Sequence, residues 1–146
     1  MLVKDLLKAN PKDLICVRET TEILEAMQLL IKNHISCLLI TDGEGHLLGI
    51  VSDKDIFKAA YERHCDFTSM RIADLMTTNV IVGVEDDELS YLGGLMTNNR
   101  VRHIPIVDQD KLVGLVSIGD VVKAEMANME AHNRYLWQYI DGTYPA

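Results

Sequence analysis

Two serine–aspartate pairs at matched spacing are the residues best suited to chemistry: Ser52 and Asp55 in Gly49-Ile50-Val51-Ser52-Asp53-Lys54-Asp55, and Ser117 and Asp120 in Gly114-Leu115-Val116-Ser117-Ile118-Gly119-Asp120. The second segment follows the first by 114 − 49 = 65 positions. In each, the apolar run before the serine reads as a strand and the residues after it as the opening of a helix, which puts the aspartate in a first helical turn. Unpaired N–H groups and the helix dipole favour phosphate at such a place, and the serine hydroxyl adds a donor. The aspartate repels phosphate, but its two oxygens can accept hydrogen bonds from the vicinal hydroxyls of a ribose. The same spacing also satisfies the capping box, in which serine caps N–H groups and the acid reaches back to the cap residue. From the pattern by itself both readings stand, with capping the more frequent outcome.

The elements that position these pairs are themselves duplicated. Val3-Lys4-Asp5-Leu6-Leu7 parallels Ile72-Ala73-Asp74-Leu75-Met76, residues 23–31 parallel 89–97, and residues 35–42 parallel 101–108. The displacement falls from 69 to 66 to 65, and it slips around Asn10-Pro11-Lys12 and in the Asp42-Gly43-Glu44-Gly45-His46 turn. Indels confined to turns mark structural repeats, and units of this length are expected to share one core.

Within the first unit, residues 15–17 predict a short strand, Thr20-Thr21-Glu22 offer helix caps, and Ile23, Ala26, Met27, Leu30 and Ile31 recur at helical spacing. Apolar runs at 36–41 and 46–51 around an Asp-Gly-Glu-Gly turn predict a hairpin, and their lack of alternation suggests burial on both faces. A second helix follows Ser52, carrying Ile56, Phe57, Ala59 and Ala60. The second unit predicts a strand at 80–84, a helix over about 87–98, strands near 102–107 and 112–117, and a helix opening near Gly119. Gly93-Gly94 inside the first of those helices costs on the order of 1 kcal/mol per glycine, which fits a close helix contact better than a ligand contact. The last helix continues past the repeat with Val122, Met126, Met129, Leu136 and Ile140 on one stripe, Tyr135, Trp137 and Tyr139 nearby, and Asp141-Gly142 as a stop. Such a stripe either folds back on its own domain or meets another subunit. The expected organisation is a repeat over 1–66, a second over 67–124, and a C-terminal helix and tail over 125–146, in an α/β (α+β) fold of β-α-β-β-α units.

With 146 residues, 48% of them hydrophobic, the chain can bury a real core, and it has no apolar run long enough for a bilayer. Lys4 and Asp5 follow Met1-Leu2-Val3 at once, unlike a signal peptide, so a cytoplasmic location is expected. A net charge of −8 disfavours nucleic acid and anionic membranes but not a small anion held locally. Cys16, Cys37 and Cys65 form no C-x-x-C pair and read as reduced thiols in apolar surroundings. His34, His46, His64, His103 and His132 lack paired metal spacing, and the sequence has no G-x-S-x-G, Walker lysine or H-E-x-x-H motif. No metal site and no enzymatic activity are expected.

The element order, the twofold repeat, the paired Gly-apolar-apolar-Ser-x-x-Asp segments and His103-Ile104-Pro105-Ile106-Val107-Asp108 resemble a tandem pair of CBS domains, the cystathionine β-synthase type of regulatory module. The resemblance covers Val3 to about Lys123. It implies two repeats about a pseudo-twofold axis, a homodimer through the helices, and two clefts that hold adenosine-containing ligands such as AMP, ADP, ATP or S-adenosylmethionine. By the family's pattern one cleft combines Ser52 and Asp55 with Thr77, Asn79, Val80, Val101, Arg102 and His103; the other combines Ser117 and Asp120 with Ile15, Ile35, Ser36 and Cys37. Only the first set contains cationic donors, since Arg102 and His103 align with Ser36 and Cys37, so that cleft is expected to take the phosphate. Lys8-Ala9-Asn10-Pro11 departs from the family where the second repeat has Met76-Thr77, which counts against the other cleft. The expected function is a non-enzymatic adenine-nucleotide sensor that changes the orientation of subunits or of a regulated protein target. The alternatives are a structural interaction module without nucleotide affinity, or an S-adenosylmethionine binder.

Overall fold

Each hairpin of the protein is crossed by a chain segment that belongs, in sequence, to the other half. The computed structural model describes residues 1–142, apart from the side chains of Tyr139 and Asp141. The first half runs α1 (Val3–Ala9), β1 (Cys16–Val17), α2 (Ile23–Asn33), β2 (Cys37–Thr41), β3 (Leu47–Ser52) and α3 (Asp53–Glu62). The second runs from a 3-10 turn (Ile72–Asp74) through α4 (Leu89–Asn99), β4 (His103–Asp108) and β5 (Lys111–Ser117) to α5 (Ile118–Asp141). β1 joins β2 in parallel, β2 and β3 pair antiparallel in one three-stranded sheet, and β4–β5 form a two-stranded sheet. The mixed α/β class, the hairpins and the C-terminal helix are those read from the sequence.

The repeat is visible in single hydrogen bonds. Asp53 N–H donates to Ser36 O and Ile118 N–H to Arg102 O, both at 2.9 Å, so each strand-to-helix junction is tied to the strand that enters its own hairpin. Gly49 and Gly114 occupy equivalent places. A Cβ on Gly49 would lie 2.8 Å from Thr77 O and 2.9 Å from Met76 Sδ; on Gly114 it would lie 2.8 Å from Leu7 Cδ1. Met76 and Leu7 are themselves repeat equivalents, so each glycine admits the segment that precedes the opposite repeat. That segment then zips onto the loop before a helix: Ile72 N–H donates to Thr21 O, and Val3 N–H to Asp87 O, at 2.9 Å.

Exchange of these segments produces two cores, where one shared core was expected. One gathers Ile23, Ala26, Leu30, Leu38, Ile40, Val51 and Ile56 with Met70 and Ile72. The other gathers Leu89, Leu92, Met96, Ile104, Ile106, Val116 and Val121 with Val3. Apolar side chains at i, i+3 and i+7 of α2 (Ile23, Ala26, Leu30) and of α4 (Leu89, Leu92, Met96) supply the inner faces.

Several sequence expectations need correction. Residues 80–84 form no strand; Gly83 makes a single parallel bridge to Ile106, and Val82 and Val84 are exposed, so a second row of contacts is missing. Thr21 does not cap α2: its Oγ1 accepts the Arg18 N–H, and Glu22 stands at the N-cap without a side-chain bond. β2 is buried throughout, but β3 only at alternating residues, because β3 is an edge that meets the other half through only the Ile50–Thr77 bridge and the Leu47 N–H bond to Asp110 O among the described main-chain contacts. Phe57 is exposed and not part of the inner face of α3. Cys37 alone of the three free cysteines is buried. Gly93 does serve packing, since a Cβ there would lie 3.0 Å from Val121 on α5. Along α5 the stripe of Val122, Met126, Met129, Leu136 and Ile140 is exposed and does not fold back, with Trp137 also exposed at 68%; the Tyr139 side chain lies outside the described residues. Gly142 ends the helix in the left-handed conformation, φ 78°.

Candidate functional site

Two cavities lie on either side of a wall made by Ser36, Cys37 and His103. The first, about 260 Å³, is lined by Ser52, Asp55, Thr77, Asn79, Val80, Val101, Arg102 and His103, so all eight residues expected for one cleft come together. They arrive from four places: the β3–α3 junction, the segment after the 3-10 turn, the end of α4 and the start of β4. Ile50, Lys54, Ile81 and Arg100 complete the lining and were not singled out from the sequence. Lys54 was legible, standing between Ser52 and Asp55. Arg100 was not, because its position follows from capping α4 in the left-handed conformation, φ 55°. An arginine there carries a strain of roughly 1 kcal/mol that glycine would avoid.

The β3–α3 junction forms the capping box in full. Ser52 N–H and Oγ–H donate to Asp55 Oδ2 at 2.9 and 3.0 Å, and Asp55 N–H donates to Ser52 Oγ at 3.3 Å. Capping and ligand contact are compatible, because these bonds use one carboxylate oxygen. Asp55 Oδ1 has no hydrogen-bond partner among the described residues, and the carboxylate lines the cavity. Lys54, Arg100 and Arg102 supply three positive charges around it. Arg102 is 62% exposed and lies 3.4 Å from Asp53 Oδ1, a loose surface pair that leaves its remaining donors available. Thr77 is tied through its main chain to Ile50, whereas Val80 and Ile81 make no main-chain hydrogen bond among the described residues. Apolar walls with open main-chain groups suit a flat heterocycle.

Burial, followed by the nearby Arg102 and Lys12 charges, pushes the His103 pKa below the ordinary histidine value, outweighing Asp120 and Asp53. His103 is therefore neutral near pH 7 and adds hydrogen bonding to the wall, not charge. Burial likewise raises the Cys37 thiol to about 11, so it stays protonated and inert.

The second cavity, about 320 Å³, includes Ile15, Ile35, Ser36, Cys37 and Ser117 as expected, together with Lys12, Asp13, His34 and Leu115. Two expectations fail here. Asp120 does not line the cavity; it is 6% exposed, and its Oδ2 accepts from Ser117 N–H, Ser117 Oγ–H and Lys12 Nζ. And the set is not free of cations, since Lys12 lines it. Burial would raise the Asp120 pKa, but the Lys12 ammonium and the Ser117 donors overcome it and hold the carboxyl below its usual range.

At the β2–β3 turn, Asp42, Glu44 and His46 converge. Asp42 Oδ1 accepts from Glu44 N–H and His46 N–H, and Oδ2 lies 2.9 Å from His46 Nδ1. These bonds, the His46 N–H foremost, hold Asp42 at about 2, and they close the hairpin turn. No helix among the described residues is long and apolar enough to cross a membrane.

A family model of the CBS domain matches residues 3–62 and again 72–127. The chain is similar to the CBS-domain containing protein ATU1752 from Agrobacterium tumefaciens, at 34% identity over 86% of this chain and 99% of that one, with a TM-score of 0.80. It is similar to the CBS domain pair of protein MJ0100, solved in complex with 5'-methylthioadenosine and S-adenosyl-L-methionine (31% identity, 88% and 98% covered, TM-score 0.76). A third likeness is to CBSX2 in complex with AMP (27% identity, 88% and 98% covered, TM-score 0.74). Curated relatives differ in length: the chain covers 73% of one from Arabidopsis thaliana at 28% identity, and 22% of one from Methanocaldococcus jannaschii at 34%.

Proposed function

Since the chain belongs to the CBS domain family and carries two copies of the domain, we propose that it is a regulatory, non-enzymatic module that binds an adenine nucleotide in the 260 Å³ cavity beside Asp55. The observation that carries this reading is the pairing, in one hollow, of an aspartate oxygen left over from capping with three cations. Asp55 Oδ1 accepts from a ribose hydroxyl, while Ser52, Arg102 and Arg100 take the phosphate, Arg102 by two parallel hydrogen bonds. Val80, Ile81, Ile50 and Val101 hold the adenine, which the open main-chain groups of Val80 recognise. The volume lies just under the roughly 300–1,000 Å³ usual for ligand clefts, which suits a mononucleotide.

Ligand there bridges β3–α3 of one repeat and α4–β4 of the other, so its differential affinity for two arrangements of the halves is the available signal. The exposed stripe on α5 supports a homodimer or a regulated protein target as the receiver of that signal. Two other readings keep specific support. The solved pair that holds S-adenosyl-L-methionine favours a sulfonium nucleoside as ligand; the exposed helices favour a purely structural interaction module. Calorimetric titration with AMP, ATP and S-adenosylmethionine separates the three. Heat with AMP or ATP supports the nucleotide reading, preference for S-adenosylmethionine replaces it with the second, and no heat at millimolar ligand leaves the third.

A further inference from the structure

The two halves differ in one contact that the repeat does not require. Asp55 and Asp120 have the same capping box with Ser52 and Ser117, at matching distances. Asp55 has no cationic partner among the described residues and lines its cavity; Asp120 is held by Lys12 and is withdrawn from its own. Lys12 itself lines the second cavity, so its ammonium stands between the hollow and the carboxylate. The first half shows that the capping box holds such an aspartate without a cation, so the Lys12 contact is additional to the fold.

We infer that Lys12 decides which cavity accepts a ribose: it pairs with Asp120 on the capping oxygen Oδ2 and stands between that carboxylate and the second cavity, which keeps the cavity closed to nucleosides. Otherwise the second cavity is well formed. It is of similar size, and Ile15, Ile35 and Leu115 stand where Ile81, Val101 and Ile50 stand in the first. What it lacks is a counterpart of Asp55: Asp120 does not line it, and the carboxylate that does, Asp13, comes from the segment before β1 and not from the strand-to-helix junction. To reach Asp120 from the cavity a sugar hydroxyl, a neutral donor, must move the ammonium aside, at the expense of a charged hydrogen bond to a nearly buried carboxylate. Lys12 thereby gives the chain one open site and one latent site, which rests on the nucleotide reading of the first cavity.

The test uses adenosine as probe, because a ligand without phosphate gains nothing from the Lys12 charge. Equilibrium dialysis of the full chain is expected to give one adenosine per wild-type chain and two per chain for Lys12→Ala and for Lys12→Met, which keeps the aliphatic stem. Adding Asp120→Asn to Lys12→Ala returns the count to one. Two equivalents in wild type, or one in both Lys12 variants, overturns the role of Lys12 and leaves the first cavity's assignment standing. No binding in any of the proteins overturns both readings. Failure of both Lys12 variants to fold also overturns it, since the contact would then be a requirement of the fold.

Discussion

Replacing Asp55 by asparagine isolates the ribose contact from the helix cap. The amide oxygen of asparagine can still accept from Ser52 N–H and Oγ–H, which now bond Asp55 Oδ2 at 2.9 and 3.0 Å, so the β3–α3 junction keeps its cap. What changes is the other half of the group: Oδ1, which accepts nothing among the described residues, becomes an amide that can only donate. A hydrogen bond to a charged acceptor contributes about 1.5–3 kcal/mol. At about 1.4 kcal/mol per decade, Asp55→Asn weakens AMP binding by roughly 10- to 150-fold. Isothermal titration at fixed ionic strength gives the affinity, and thermal melting checks that the cap survives. A Kd within twofold of wild type, with an unchanged melt, would refute the assignment of Asp55 to the sugar. Asp120→Asn in the wild-type background should leave the AMP affinity within about twofold, because that carboxylate faces Lys12 and not a cavity.

Arg102→Ala should weaken AMP while sparing adenosine, and the AMP affinity should become less salt-dependent; stability should fall by no more than about 1 kcal/mol, as befits an exposed pair with Asp53. An equal loss for adenosine and AMP would show that Arg102 does not meet phosphate. Gly49→Ala should lower the unfolding free energy by about 1–3 kcal/mol, because its Cβ would stand 2.8 Å from the Thr77 carbonyl, whereas Gly94→Ala, with nothing within 4 Å on an exposed helix face, should raise it by up to about 1 kcal/mol. Urea unfolding measures both. His103 has a folded pKa below its unfolded value, so its contribution is present above about pH 6.5 and is lost as pH falls through the folded pKa. Replacing His103 with asparagine should therefore flatten the fall in melting temperature on that acid side, and an unchanged slope would argue against a neutral, half-buried imidazole.

The features that recur are those that a sequence discloses. Both hairpins and both Ser-x-x-Asp junctions are legible because each has a counterpart about 65 positions away, and the coincidence of two weak patterns is far stronger than either, whereas the eight residues around the first cavity follow from the family resemblance. Features set by only one half were missed. Lys12 falls where the register slips from 69 to 66, so it has no aligned partner, and its contact with Asp120 spans 108 positions. The helix over Val3–Ala9 was too short to show periodicity, and its packing against Gly114 depends on the exchange of segments between halves. That exchange is also why two cores replace one: Met70 and Ile72 read as the start of the second repeat but complete the first. Val80 to Val84 have strand composition, yet a strand needs a partner along its length, and Gly83 finds one residue.

A crystal of the protein grown with AMP would place the sugar, the phosphate and the adenine separately. One nucleotide per chain is expected, with a ribose hydroxyl within hydrogen-bond distance of Asp55 Oδ1, phosphate against Ser52, Arg100 and Arg102, and adenine between Val80 and Val101. An empty first cavity at saturating AMP, or a nucleotide bound with its sugar away from Asp55, would contradict it.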